Sequence, residues 1–243
     1  MPGDPDVVVL CGGQGTRLRG VTGGRQKTLA EVAGRPFLEW LLLALRRQGV
    51  GSVLLATGHE AGEVASRLGD GRRLGVEVRY SREPAPLGTG GALRLALHAT
   101  RAARLLVLNG DSYCRMDLRA LAGLHAARGA RASLVLANVP DRRRYGAVDR
   151  APDGAVTAYL EKLAGGPGAV NAGVGLYERE VLAAIPEGIP VSLERAVLPE
   201  LVGRGLYGLL AGGPLVDIGT PEDYRAAADL LAGDLRLLAA HGV

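Results

Sequence analysis

The sequence predicts an α/β protein built on a doubly wound, mostly parallel sheet, with a small β subregion added in its second half. Three observations carry that expectation. From Val7 to Asn138, short apolar runs alternate with segments of helical periodicity. The first run, Val7 to Leu10, is continuously apolar and opens into a Gly-rich loop, as a strand buried on both faces does. The three loops of most interest (residues 12–24, 83–91 and 109–113) all follow strands, where open α/β sheets bind ligands.

Taken in order, Val7–Leu10 is the first strand. Phe37 to Gln48 follows as a helix, with Phe37, Leu38, Leu41, Leu42 and Leu45 at helical spacing and a stop at Gly49. Val53–Ala56 and Glu60–Leu68 repeat strand and helix, then Val76–Tyr80 and Gly90–Ala99. Leu105–Leu108 is a strand ending in Asn109-Gly110-Asp111, Leu118–Ala127 a helix, and Ser133–Asn138 another strand. Beyond it the pattern is less regular. Pro152-Asp153-Gly154 between 147–150 and 155–161 signals a hairpin. Residues 173–177 and 206–210 read as extended, 197–202 as helical, and 221–238 as a closing helix whose start is Thr220-Pro221-Glu222-Asp223. With no linker or repeat, residues 1–243 read as a single domain, a size one core can sustain.

Composition narrows the classes. Hydrophobic residues make up 47%, enough for a packed core, while aromatics are only 4%. Net charge is +4, but the arginines are scattered and no aromatics are interleaved with them. That excludes a nucleic-acid partner and favours small anionic substrates. Cys11 and Cys114 are far apart and lack zinc spacing. No apolar run approaches the roughly 20 residues of a membrane helix, and the beginning of the chain has no signal-peptide pattern, so a cytoplasmic protein is expected. Homo-oligomerisation is left open.

Three features carry chemistry. Leu10-Cys11-Gly12-Gly13-Gln14-Gly15-Thr16-Arg17-Leu18 is a Gly-rich loop with an Arg directly after a strand, suited to phosphate oxygens. It lacks the third glycine of a dinucleotide fingerprint and the G-K-S/T of a P-loop. Of 29 Lys and Arg residues, only Lys27 and Lys162 are lysines, which points to places where a compact charge is required. Asp111 follows Gly110 and Asp217 lies two residues before Gly219, each beyond an apolar run, and two such carboxylates suit Mg²⁺ bound beside phosphate.

Together these segments resemble the sugar-1-phosphate nucleotidyltransferase family, whose signature G-G-x-G-T-R-L is followed by Pro-Lys. Within it the chain is most similar to the D-glycero-D-manno-heptose 1-phosphate guanylyltransferases. The narrower likeness rests on Leu10-Cys11-Gly12-Gly13, Gly34-Arg35-Pro36-Phe37-Leu38-Glu39, Glu83-Pro84, Leu87-Gly88-Thr89-Gly90-Gly91-Ala92, Leu108-Asn109-Gly110-Asp111, Arg144-Tyr145-Gly146, Glu161-Lys162, Asn171-Ala172-Gly173, Ser192-Leu193-Glu194 and Asp217-Ile218-Gly219-Thr220-Pro221. The resemblance implies a Rossmann-like nucleotidyltransferase fold, GTP and a sugar 1-phosphate as substrates, and Mg²⁺ as cofactor. It implies that Leu10, Gly12, Gly13, Gly15, Thr16, Arg17, Glu83, Gly88, Thr89 and Asp111 bind nucleotide. Asn109, Gly146, Glu161, Lys162 and Asn171 would bind sugar, Asp111 and Asp217 the metal, and Arg17, Lys27 and Lys162 would be catalytic. One position departs from the signature: Gln26 stands where the family has proline, which is expected to loosen the placement of Lys27.

The reaction implied is attack by a sugar-phosphate oxygen on the α-phosphorus, with pyrophosphate leaving. A phosphate monoester is already anionic near neutrality, so no general base is required. His59, His98, His125 and His241 lie in no motif and read as surface or packing residues. Cys114 reads as a small buried hydrophobe, and Trp40 and Tyr224 as core or interface. Another nucleotide, a hexose 1-phosphate and a non-catalytic sensor of these ligands stand as alternatives. A nicotinamide-dependent oxidoreductase lacks support because the third glycine is missing.

Overall fold

A computed structural model describes residues 5–13, 15, 18, 26–161 and 165–239. In chain order the elements are β1 (Asp6–Leu10), β2 (Glu31–Val32), β3 (Arg35–Pro36), α1 (Phe37–Arg47), β4 (Ser52–Thr57), α2 (Ala61–Leu68), β5 (Glu77–Arg82), α3 (Gly88–Ala96), β6 (Arg104–Asn109) and β7 (Ser112–Cys114). Then come α4 (Leu118–Arg128), β8 (Ala132–Val139), β9 (Gly146–Arg150), β10 (Val156–Glu161), β11 (Gly168–Glu178), α5 (Arg179–Ala183), α6 (Leu198–Leu201), β12 (Leu206–Leu210), β13 (Leu215–Asp217) and α7 (Pro221–Ala239). The expected α/β class with its parallel sheet is what forms. The chain divides into two compact units, each assembled from non-contiguous segments.

The amino-terminal unit comprises Val7–Pro86, Asn109–Tyr113 and Val216–Val243. In it β1, β4 and β5 pair in parallel, with Val8 opposite Leu54 and Leu55 opposite Tyr80. Val7, Val8 and Val9 are all buried, the condition their uninterrupted apolar run predicted. Helix α1 buries every residue from Phe37 to Leu45, so its Leu-rich sequence leaves no polar stripe there. The one carboxylate in that stretch, Glu39, is 2% exposed and takes both Arg73 nitrogens (2.5 and 3.0 Å). A buried charge without such a partner would be strongly destabilising. Helix α7 packs on α1 and β2, and Thr220 caps its start through Asp223 while Pro221 occupies the first turn.

The central unit comprises Met1–Asp6, Leu87–Leu108 and Cys114–Leu215. Its axis is the long strand β11, antiparallel to β6 on one side and to β8 on the other, with β12 parallel to β8. β9 and β10 form the antiparallel hairpin signalled by Pro152-Asp153-Gly154, and Val170 of β11 pairs with Ala147 of β9. Midway, β11 bulges: Asn171 faces Leu136 and Val174 faces Val135, leaving Ala172 and Gly173 as extra residues. Gly173 takes φ +76° and its N–H donates to Asn171 Oδ1 at 3.0 Å. A bulge of this kind re-aims side chains, and here it turns at Asn171.

Candidate active site

In the amino-terminal unit three charged side chains converge. Lys27 Nζ lies 2.5 Å from Asp111 Oδ2 and 3.7 Å from Asp217 Oδ1. The lysine side chain is 12% exposed, which holds the ammonium against the carboxylates rather than in bulk water. Local structure explains the meeting. Gly110 N–H donates to Leu10 O at 2.9 Å, bringing the turn with Asp111 onto the end of β1. Gly110 has no room for a side chain: a Cβ would stand 2.9 Å from both Leu10 O and Cys11 Sγ. Ile218 N–H donates to Asp111 O at 3.1 Å, which brings the residue after Asp217 alongside Asp111.

Lys27 opens a short 3-10 turn, Lys27–Leu29, behind the Gly-rich loop. Gly15 lies against it with φ +57°, and a Cβ there would meet the Lys27 Cβ at 2.8 Å. Gln26, expected to loosen this turn, is hydrogen-bonded into it. It is 2% exposed, its Oε1 accepts from Thr28 N–H at 2.7 Å, and its Nε2 donates to Cys11 O at 2.8 Å. At the far side of the loop, Glu83 Oε1 lies 2.4 Å from where a Gly12 Cβ would be, so Glu83 and Gly12 are in contact as found. Gly13 is exposed, with open space where its Cβ would stand.

In the central unit a second cluster forms around Tyr159 on β10. Asn171 Nδ2 donates to its hydroxyl at 3.4 Å. A Cβ on Gly146 would stand 2.3 Å from that hydroxyl and 3.0 Å from Glu161 Oε2. Gly146, Glu161 and Asn171 are therefore gathered around one buried phenol, although they come from three strands. Burial, and then the nearby carboxylates of Glu161 and Glu194, push the Tyr159 hydroxyl well above the ordinary tyrosine range, so it stays a neutral donor and acceptor. Tyr177 is raised likewise, by burial first. The cluster offers two carboxylates, an amide and phenols, a set suited to neutral hydroxyl groups.

Residues 6–233 match the Nucleotidyl transferase family. The chain belongs to that family. The mannose-1-phosphate guanylyltransferase of Mycobacterium tuberculosis is 39% identical over 233 residues, 94% of this chain but 65% of that relative, so the chain spans just under two thirds of its length. The D-glycero-alpha-D-manno-heptose 1-phosphate guanylyltransferase of Aneurinibacillus thermoaerophilus is 32% identical over 223 residues, covering 91% of this chain and 96% of that one. Among solved structures, HddC from Yersinia pseudotuberculosis superimposes with a TM-score of 0.81 at 31% identity, over 93% of this chain and 99% of its own. It has also been solved complexed with GMP-PN.

Within this nucleotidyl transferase, the other expected site residues fall as follows. Thr16, Arg17 and Lys162 lie outside the described residues. Leu10 ends β1, its carbonyl taken by Gly110. Asn109 ends β6 and belongs to the amino-terminal unit with Asp111, whereas Gly146, Glu161 and Asn171 belong to the central one. Gly88 and Thr89 begin α3 and hold the segment 189–194. Gly90 and Gly91 N–H groups donate to Val191 O, Thr89 Oγ1 donates to Glu194 Oε2 at 2.6 Å, and Leu193 N–H donates to Thr89 Oγ1 at 2.8 Å. The Thr89 side chain is thus engaged by protein.

Sequence reasoning missed Tyr159, Tyr177 and the role of Gln26. Across the β9–β10 hairpin Tyr159 pairs with Val148 and Glu161 with Gly146, but a tyrosine in a strand carries no motif. Cys11 and Cys114 are free and buried. Burial pushes the Cys114 thiol to about 12, and burial together with the Asp111 charge raises Cys11 further, so neither is a nucleophile at neutral pH. Trp40 is buried and donates to Val32 O at 2.8 Å. Tyr224 donates to Glu31 O at 2.7 Å, so both aromatic side chains brace β2. His125 is buried against Ser133 and Glu178, a packing residue. Among the described residues no helix is long and apolar enough to cross a membrane.

Proposed function

We propose that the chain transfers a guanylyl group from GTP to a sugar 1-phosphate, giving a GDP-sugar and pyrophosphate, with D-glycero-α-D-manno-heptose 1-phosphate as the acceptor. The observation that carries the reading is the meeting of Lys27, Asp111 and Asp217, three residues distant in sequence, beside a Gly-rich loop in a nucleotidyl transferase. The heptose choice is supported by relatives of matching length: the Aneurinibacillus enzyme is covered over 96% of its chain. Mannose 1-phosphate is the second reading, favoured by the higher identity, 39%, to the Mycobacterium enzyme.

Mg²⁺ fits the residues present. Asp111 and Asp217 already share one cation, the Lys27 ammonium, so their oxygens converge on a point that accepts positive charge. Among the described residues no group of three or more His, Cys, Asp or Glu gathers. Mg²⁺ does not require one, since it binds through one or two carboxylates with substrate phosphate and water. When bound, the ion would neutralise phosphate charge and polarise the phosphoryl oxygens.

The acceptor phosphate is its own nucleophile: one of its oxygens forms a bond to the α-phosphorus of GTP as the bond to the bridging oxygen of pyrophosphate breaks. No proton has to be removed. What remains to be overcome is repulsion between two polyanions, which fixed cations at the phosphates lower. Lys27 supplies that charge in this reading, and Arg17 and Lys162 are proposed to add to it. Guanine offers N–H donors on its N1 and N2 edge, and a carboxylate is an acceptor only. We assign Glu83, seated on Gly12, to reading that edge. Gly146, Glu161, Asn171 and Tyr159 are assigned to the sugar hydroxyls.

The test is direct. Purified protein with Mg²⁺ is given heptose or mannose 1-phosphate and each of GTP, ATP, CTP, UTP and dTTP, with pyrophosphate release followed and products weighed. GDP-heptose as the preferred product supports the reading; GDP-mannose moves it to the second. Another nucleotide preferred overturns the Glu83 assignment, and no product from any pair overturns the activity.

A further inference from the structure

The family's lysine follows a proline, and in this chain it follows Gln26. The backbone at Gln26 has φ −55° and ψ 132°, inside the window a proline ring imposes. The conformation is therefore kept while the means of holding it has changed. Gln26 is 2% exposed, and each polar atom of its side chain is used. Oε1 accepts from the Thr28 N–H at 2.7 Å and from the Thr28 hydroxyl, and Nε2 donates to Cys11 O at 2.8 Å. The main-chain N–H, which a proline would lack, donates to Glu63 Oε2 on α2 at 3.1 Å.

These bonds close a ring. Gln26 ties the Lys27 turn to Cys11, the first residue beyond β1. The neighbouring Leu10 carbonyl takes the Gly110 N–H and so seats Asp111. Asp111 in turn holds the Lys27 ammonium. Every member lies in the amino-terminal unit. A buried amide left without partners is costly, so such a ring has one arrangement rather than several.

We propose that Gln26, with Glu63, is a positioning residue for Lys27: it fixes the lysine relative to the start of the Gly-rich loop and to Asp111, replacing by hydrogen bonds what the family obtains from a proline ring. The inference rests on the proposed reaction, in which Lys27 meets the reacting phosphates. Proline at position 26 suits the backbone yet deletes the N–H to Glu63 and both side-chain links. In this chain Gln26→Pro therefore behaves as a loss.

The test is a double-mutant cycle on the full chain. Gln26→Met keeps volume and removes the polar atoms; its kcat and both KM values are measured in the wild-type and Lys27→Met backgrounds. With Lys27 present, kcat is expected to fall on the order of tenfold to a hundredfold, as small misplacements do, with KM for the sugar 1-phosphate unmoved. With Lys27→Met the same substitution is expected to cost almost nothing more, because its effect passes through the lysine. Equal losses in both backgrounds, or a lowered Tm with unchanged kcat, overturn the proposal. Glu63, half-buried at the helix surface, gives an independent arm that does not disturb the buried amide. Glu63→Leu is expected to lower kcat, and Glu63→Gln, which keeps an acceptor for the Gln26 N–H, to restore most of it. Equal rates for these two variants also overturn it. A wild-type protein that forms no product overturns the reaction itself and the inference with it, whereas an active wild type without coupling overturns the inference alone.

Discussion

Gly146→Ala separates the proposed sugar-reading cluster from everything else in the chain. The new Cβ would stand 2.3 Å from the Tyr159 hydroxyl oxygen, 2.8 Å from Cζ and 3.0 Å from Glu161 Oε2. Ordinary carbon contacts are about 3.5–4.0 Å, so the ring has to retreat by on the order of 1 Å. Tyr159 is 6% exposed, and the surrounding core offers no slack for that movement. Overpacking of this kind costs ~1–3 kcal/mol. If the displaced phenol takes its strain out on the sugar hydroxyls, that energy corresponds to about a 5- to 150-fold rise in KM at ~1.4 kcal/mol per decade. Initial rates at saturating GTP, with sugar 1-phosphate varied, read it directly. KM for GTP is expected to stay within about twofold of wild type, since that substrate is assigned to the other unit. Adding Tyr159→Phe removes the 2.3 Å contact but keeps the 2.8 Å one, so partial recovery is expected. A folded Gly146→Ala protein with unchanged KM for the sugar phosphate, or with both KM values raised equally, refutes the assignment.

Asp111→Asn and Asp217→Asn are each expected to lower kcat on the order of a hundredfold or more, the scale of losing one fixed electrostatic contact to the transition state; near-normal rates across a Mg²⁺ titration would contradict the metal assignment. Glu83→Gln is expected to cut the kcat/KM preference for GTP over ATP on the order of tenfold or more, because the amide no longer presents acceptors alone. An unchanged ratio would move base selection elsewhere. His125 is buried between Ser133 Oγ at 2.9 Å and Glu178 Oε1 at 3.1 Å, and burial lowers its pKa in the folded state despite the carboxylate. The unfolded chain therefore binds more protons near its ordinary value of about 6.5, so this contribution is complete above that pH and is lost as pH falls toward the folded value. Urea midpoints are expected to drop between pH 7 and pH 5, and His125→Asn to flatten that slope; an identical slope in the variant refutes the account.

The parallel β–α units were legible because burial on both faces leaves its mark on every residue of a strand: Val7, Val8 and Val9 could be read without any partner in view. The hairpin of β9 and β10 was legible through its turn chemistry at Asp153-Gly154. The hairpin of β2 and β3 was not. Its strands are two residues long, and its turn places Ala33 at φ 50° beside Gly34 at φ 77°, where the usual signal would be Asn-Gly. The helix read at 197–202 begins instead as a wide turn over Leu193–Val197, followed by a single helical turn, Leu198–Leu201. Ser192 explains the earlier start, since its hydroxyl accepts from Arg195 N–H at 3.2 Å and caps the segment. At the candidate site, the charged residues that the fold brings together, Lys27, Asp111 and Asp217, were visible in the letters, because lysine is rare here and both aspartates lie near glycines beyond apolar runs. Tyr159 and Gln26 were not, because each matters through what surrounds it: a phenol enclosed by three strands, and an amide satisfied by Cys11, Thr28 and a neighbouring Glu63 interaction.

Two of the arginines show what a planar guanidinium supplies. Arg73 meets both oxygens of Glu39, and Arg179 serves Leu97 O, Thr100 O, Ala102 O and the Thr100 hydroxyl with its two terminal nitrogens. Such sites reward a rigid group with many donors in one plane. Lys27 faces another demand. Its ammonium lies against two carboxylates that are not equivalent, at 2.5 and 3.7 Å, from a side chain only 12% exposed. A compact charge on a flexible stem can shift its contacts between such partners without breaking a paired set of bonds. That property suits a cation which in the proposed reaction must serve phosphate as well as carboxylate. A guanidinium bound bidentate to either aspartate would be more firmly held and less able to do both. In the proposed reaction Lys27 thus stands where charge has to be shared, on a turn held by Gln26 and packed against Gly15.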